Sequence, residues 1–107
     1  MQDEEIAATM RALGHPVRLK ILRIMARHKR DCCCADVTQC LPLAQSTVSQ
    51  HIKVLVDAGL IDRRPEGTRN CYVVDSAKLA ELEAALSNLN NGLFDTTTPA
   101  HQMKCAG

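Results

Sequence analysis

The chain has 107 residues, room for one domain with a modest core and not for two. Its net charge is +1 and its only aromatic residues are Tyr72 and Phe94, so core volume must come from Leu, Ile, Val, Met and Ala, which favours helices. No run of about 18 apolar residues exists to span a membrane, and the acidic start Met1-Gln2-Asp3-Glu4-Glu5 is unlike a secretory signal, which predicts a cytoplasmic location where thiols stay reduced.

Ile6, Met10 and Leu13 at helical spacing predict a first helix over 4–13, ended by Gly14. His15-Pro16 opens a second, because Pro suits the first helical position, and Val17, Ile21, Ile24 and Met25 form its apolar face. Residues 28–34 are polar and rich in cysteine, with a short strand expected from Arg30 to Cys32. A short third helix is expected from Asp36 to Leu41, with Val37, Cys40 and Leu41 facing inward, until Pro42 stops it. Leu43 is expected as a buried hinge. Val48, Ile52 and Leu55 recur at i, i+4 and i+7 in a fourth helix from Gln45 to Ala58, which Gly59 ends.

Leu60 and Ile61 then begin a strand, Pro65-Glu66-Gly67-Thr68 turns, and Cys71-Tyr72-Val73-Val74 returns, a hairpin over 60–74. Asp75 or Ser76 caps a last helix. Its Leu79, Leu82, Leu86, Leu89 and Leu93 form a heptad-like stripe, which in so small a chain predicts pairing with a second copy. The expected organisation is one domain over 1–93 and a flexible tail over 94–107. The fold class expected is mainly α with a small β-hairpin, in the order of a winged helix-turn-helix.

Charge is segregated along this order. Arg11, Arg18, Lys20, Arg23, Arg27, Lys29 and Arg30 crowd the first third, and Arg63, Arg64 and Arg69 surround the hairpin turn, while acids gather at the N-terminus and over 75–83. Solvated helix faces would look similar, but the fourth helix adds a second signal. Its outer face carries Gln45, Ser46, Thr47, Ser49, Gln50, His51 and Lys53. Gln pairs with adenine in a bidentate way, Ser and Thr reach bases or phosphates, and Lys suits a phosphate. Arg64 and Arg69 on the hairpin are placed to reach a phosphate or the minor groove. Double-stranded DNA is therefore the expected partner.

Six cysteines demand a second role: Cys32, Cys33, Cys34, Cys40, Cys71 and Cys105. Three consecutive thiols serve no packing need, and in a reducing compartment clustered thiols bind metal or respond to redox state. Cys40, on the inward face of a short helix, reads as a small core residue. Cys71 reads either as a plain strand residue or as a sulfur close to Cys32, and His101 with Cys105 is a weak pair in the tail.

Gly14-His15-Pro16-Val17-Arg18-Leu19-Lys20-Ile21-Leu22 resembles the second-helix signature of the ArsR/SmtB family of metalloregulatory winged helix-turn-helix repressors. Ala44-Gln45-Ser46-Thr47-Val48-Ser49-Gln50-His51-Ile52-Lys53-Val54-Leu55, followed by Ala58-Gly59-Leu60-Ile61, resembles its recognition helix. The likeness covers roughly residues 4–90 and departs at Ala44, where that family commonly has a capping Ser. It implies a homodimer built through the first and last helices, bound to an inverted-repeat operator and released by an inducer.

Asp31-Cys32-Cys33-Cys34-Ala35-Asp36-Val37 resembles the Cys-x-Cys sensing motif of the arsenic-responsive branch. Cys32 and Cys34 supply that spacing with Cys33 between them, whereas an alignment without a gap sets the motif on Cys33 and Ala35. The implied inducer is trivalent arsenic or antimony held by three thiolates among Cys32, Cys33, Cys34 and Cys71, the third being Cys33, Cys71 or a sulfur of the other subunit. Cadmium, lead or zinc are alternatives, since soft divalent ions also accept thiolates. A last-helix zinc site is disfavoured because residues 75–93 contain no His.

A thiol redox or persulfide switch on the same fold is the nearest competitor and needs two cysteines that can bridge. An enzyme is disfavoured: there is no Cys-x-x-Cys in a βαβ pattern, no phosphate loop and no acid-base pair. Nothing implies an organic cofactor.

Overall fold

A computed structural model describes residues 1–27 and 32–93, leaving out the side chains at 32–35, 66 and 69. The expectations for His28, Lys29, Arg30 and Asp31, and for the 94–107 tail with His101 and Cys105, lie outside the described residues.

Helix α1 (Asp3–Leu13) carries Asp3, Glu4 and Glu5 in its first turn, where carboxylates complement the positive end of the helix dipole. Helix α2 (Pro16–Arg27) begins on Pro16, whose missing N–H costs a helix start nothing. Strand β1 (Cys32–Cys33) leads straight into α3 (Cys34–Gln39). Helix α4 (Gln45–Asp57) has no side-chain cap at Ala44, as the departure at that position implied. Its other end is well closed. Gly59 takes φ +77, its N–H donates to the Val56 carbonyl at 2.9 Å and the Leu60 N–H to that of Leu55 at 3.0 Å, a Schellman motif that only a left-handed residue completes.

Strands β2 (Ile61–Glu66) and β3 (Arg69–Val74) pair antiparallel around Gly67-Thr68. Gly67 has φ +62 and no other turn residue has positive φ, the II′ pattern with glycine first. Pro65 and Glu66, expected in the turn, are strand residues opposite Asn70 and Arg69. Strand β1 adds to the far side of β3, giving the order β1-β3-β2. Helix α5 (Ser76–Leu93) starts at Asp75, whose Oδ1 accepts the Lys78 N–H at 3.1 Å, so Asp75 and not Ser76 is the cap.

The core is where these pieces meet. Ile21 and Met25 of α2, Val37 of α3, Val48, Ile52 and Leu55 of α4, and Leu60 and Ile61 entering β2 are buried together. All three residues of the α4 stripe are at most 1% exposed.

Several expectations are corrected. On α1 the buried residues are Thr9 and Ala12, while Met10 is exposed: the helix meets its own chain along a narrow edge. On α2 Leu22 is buried, and Val17 and Ile24 only pack against the core margin. Strand β1 lies at Cys32–Cys33 and α3 starts at Cys34, two residues earlier than expected. That shift carries Cys40 beyond the last turn of α3, so its thiol is exposed and is not a core residue. Leu43 is half-buried.

Candidate nucleic-acid interface

The burial of Val48, Ile52 and Leu55 fixes the rotation of α4 and so decides which side chains it offers outward. Gln45, Ser46, Ser49, Gln50 and Lys53 are exposed, a polar stripe at helical spacing along the face opposite the core. Thr47 is half-buried beside the stripe. Lys53 lies 3.9 Å from Asp57 in an exposed pair, worth little in water and easily exchanged for a phosphate. The structure therefore brings Gln45, Ser46, Ser49, Gln50 and Lys53 onto one surface.

His51 belongs to a different environment. It is half-buried, its ring centroid 4.5 Å from that of His15, and Arg18 donates an N–H to its Nδ1 at 3.3 Å. An acceptor Nδ1 leaves the proton of the neutral ring on Nε2. Burial, then the neighbouring His15 and Arg18, holds the His51 pKa below its ordinary value, so the ring is a neutral strut at physiological pH. Arg18 also donates to the carbonyls of Ala12 (2.5 Å) and Arg11 (3.3 Å), and His15 Nδ1 accepts the Val17 N–H at 3.1 Å. One guanidinium thus ties the end of α1 to the middle of α4. From the sequence Arg18 reads only as part of a general basic face, because a link between side chains 33 residues apart leaves no local signal.

On the hairpin, Arg63 and Arg64 are exposed on alternate faces of β2, and the backbone of Arg69 opens β3 at the turn.

The cysteine segment meets the hairpin through β1. Cys33 stands opposite Cys71, and Cys32 opposite Tyr72. The expected neighbour of Cys71 is therefore Cys33 rather than Cys32. The Cys71 side chain is 3% exposed. Tyr72 and Val74 pack against the core, so strand alternation sets Cys71 on the other face of the sheet, with Arg64 as its opposite position on β2.

Residues 13–64, the α2-to-hairpin segment, match a family described as a helix-turn-helix domain. An HTH-type transcriptional regulator of Methanocaldococcus jannaschii, otherwise uncharacterised, is 34% identical over 79 residues, 74% of this chain and 88% of the relative. The arsenical resistance operon repressor of Bacillus subtilis is 36% identical over 62 residues, 58% of each chain. A solved structure from Mycobacterium bovis, a homodimeric winged helix-turn-helix DNA-binding domain described as a possible ArsR-family regulator, superposes with a TM-score of 0.66 over 87% of this chain and 91% of that one, at 21% identity. The chain belongs to the ArsR family of winged helix-turn-helix transcriptional repressors.

Within the ArsR fold α3 and α4 are the helix-turn-helix, α4 is the recognition helix and β2–β3 is the wing. The family is one of DNA-binding regulators, and no helix among the described residues is long and apolar enough to cross a membrane.

Proposed function

We propose that this ArsR-family chain is a homodimeric, cytoplasmic repressor that leaves an inverted-repeat operator when its cysteine thiolates capture trivalent arsenic or antimony. It acts by binding and not by catalysis. Gln45, Ser46, Thr47, Ser49 and Gln50 read or position the major groove, His51 braces the helix that carries them, and Lys53, Arg64 and Arg69 hold phosphates.

The observation that carries the inducer reading is the register of β1 on β3. Directly opposed positions of antiparallel strands share a face, with Cβ atoms about 4.5–5.5 Å apart, and Cys33 and Cys71 are such a pair. Cys32 and Cys34 flank Cys33 where the strand becomes α3, the first helix of the helix-turn-helix. An ion gathering sulfurs from Cys32, Cys33, Cys34 and Cys71 would pull that junction toward the hairpin and tilt α3 and α4 away from their operator geometry. The arsenical resistance repressor among the relatives agrees with that chemistry.

Dimerisation is supported by the outer edges of α1 and α5. Met10, Leu89 and Leu93 are 45%, 51% and 46% exposed, and with Ile6, Ala84 and Ala85 the first two line an open cleft of about 700 Å³ between the two helices. Lys78 Nζ donates to Glu5 Oε1 at 2.6 Å and holds α1 beside α5, so a second copy would meet both helices as one surface.

The same register favours one alternative reading. A directly opposed pair falls within the Cα separation a disulfide needs, about 4.4–6.8 Å, so Cys33–Cys71 would also suit a thiol redox or persulfide switch. Soft divalent ions such as cadmium, lead or zinc would use the same thiolates.

The test is a set of operator-release titrations of the reduced protein with arsenite, antimonite, cadmium, zinc and polysulfide. Release by arsenite or antimonite is expected, with Cys33→Ser and Cys71→Ser each weakening the response. Release by polysulfide alone would make the chain a redox switch.

A further inference from the structure

The exposed Cys40 thiol lines a pocket beside α2, outside the recognition helix and the wing. The pocket holds about 340 Å³ and is lined by Lys20, Arg23, Ile24, Arg27, Cys40 and Leu41. That volume is at the lower end of small-molecule sites, about 300–1,000 Å³.

Its chemistry is unusual for a solvated helix face. Lys20, Arg23 and Arg27 follow one another at i, i+3 and i+7, so α2 presents three cations along one stripe. All three are exposed, and among the described residues none is held in an ion pair. The half-buried Ile24 and Leu41 make an apolar floor. The same pocket is lined by the free thiol of Cys40, which follows α3 directly. A DNA backbone would meet a projecting cationic face; a concave site with an apolar floor and a thiol fits a small molecule that is anionic and sulfur-reactive.

We propose that this pocket is a modification site at which Cys40 forms a mixed disulfide with a small anionic disulfide, its carboxylates held by Lys20, Arg23 and Arg27. The Cys40 sulfur attacks one sulfur of the disulfide. A new S–S bond forms at Cys40, the S–S bond of the reagent breaks, and one half leaves as a thiol carrying the proton that Cys40 gives up. Cys40 is oxidised and the leaving half reduced, with no other oxidant. This chemistry does not depend on what the Cys32, Cys33, Cys34 and Cys71 thiols sense.

The experiment incubates the reduced full chain at low salt with oxidised glutathione (anionic), hydroxyethyl disulfide (neutral) or cystamine (cationic). Intact mass follows the adducts and peptide mapping counts those at Cys40. The expected result is on the order of tenfold faster modification of Cys40 by the anionic reagent than by the cationic one, the scale on which a charged cleft concentrates its ligand. The preference disappears at high salt and in the exposed-surface variant Lys20→Gln/Arg23→Gln/Arg27→Gln, whose fold is checked by circular dichroism. Cys40→Ser removes that adduct and leaves the other cysteines as they were. Equal rates with all three reagents, or a preference that survives the triple substitution, would overturn the proposal. So would a triple variant that loses operator affinity while its Cys40 chemistry is unchanged, since the cations would then serve DNA.

Discussion

Helices α4 and α5 both carry an apolar stripe at helical spacing, yet they are used differently. On α4, Val48, Ile52 and Leu55 are all within the core. On α5, Leu82 is buried, Leu79 and Leu86 are half-buried, and Leu89 and Leu93 stand in solvent. A stripe states that a helix has something to bury; it does not state against what. The first stripe serves the domain, whereas the outer half of the second is left uncovered by this chain, the face that the proposed dimer would bury.

The largest expected effect tests the α4 side of that contrast. Ile52→Ala removes a side chain that is 1% exposed, and urea unfolding should show a loss of about 2–5 kcal/mol. If the loss were no more than that of a surface change, the α4 stripe would not be the core.

Next comes α5. Leu89→Glu should weaken self-association by about 2 kcal/mol, roughly thirtyfold in Kd, as read by analytical ultracentrifugation. Far-ultraviolet circular dichroism should show the helices intact. A variant that unfolds instead would place Leu89 in the monomer's own core.

Smaller effects concern the outer face of α4. Gln50→Ala should cost about 1–3 kcal/mol in operator affinity and relax selectivity at one base pair. Lys53→Ala should weaken binding to all sequences and lower the salt dependence by about one ion. Competition binding at several salt concentrations separates the two, and identical behaviour would deny α4 a base-reading role.

The smallest effect concerns its brace. The folded His51 resists protonation, while in the unfolded chain it titrates near its ordinary 6.5. Below that pH the unfolded state binds a proton the folded state refuses, so its contribution to stability is present above about 6.5 and is lost as pH falls. The urea midpoint should therefore drop from about pH 7.5 to about pH 5.5, and His51→Gln should flatten that slope.

The sequence made much of this legible because local rules and tertiary packing agree. The α4 stripe, Pro16 opening α2, Gly59 closing α4 and the hairpin strands all follow from side-chain periodicity and backbone chemistry. Cys40 escaped because a two-residue shift in the start of α3 moves it past the helix end, and short helices carry too little periodicity to fix their ends. The exposure of Met10 escaped because apolar spacing is the same whether the covering surface comes from the same chain or a partner. The pairing of Cys33 with Cys71 is a matter of register, and one residue of slip exchanges every neighbour. The Arg18–His51 link joins helices far apart in sequence and leaves no local trace.

The most direct test of the central claim is operator affinity with and without arsenite, for the wild type and for Cys32→Ser/Cys33→Ser/Cys34→Ser, by fluorescence anisotropy under reducing conditions. The account predicts that arsenite weakens wild-type binding by at least about tenfold, within the usual range of allosteric coupling of about 1–3 kcal/mol, and leaves the variant unchanged. Wild-type binding that ignores arsenite, or a variant that responds equally, would contradict it.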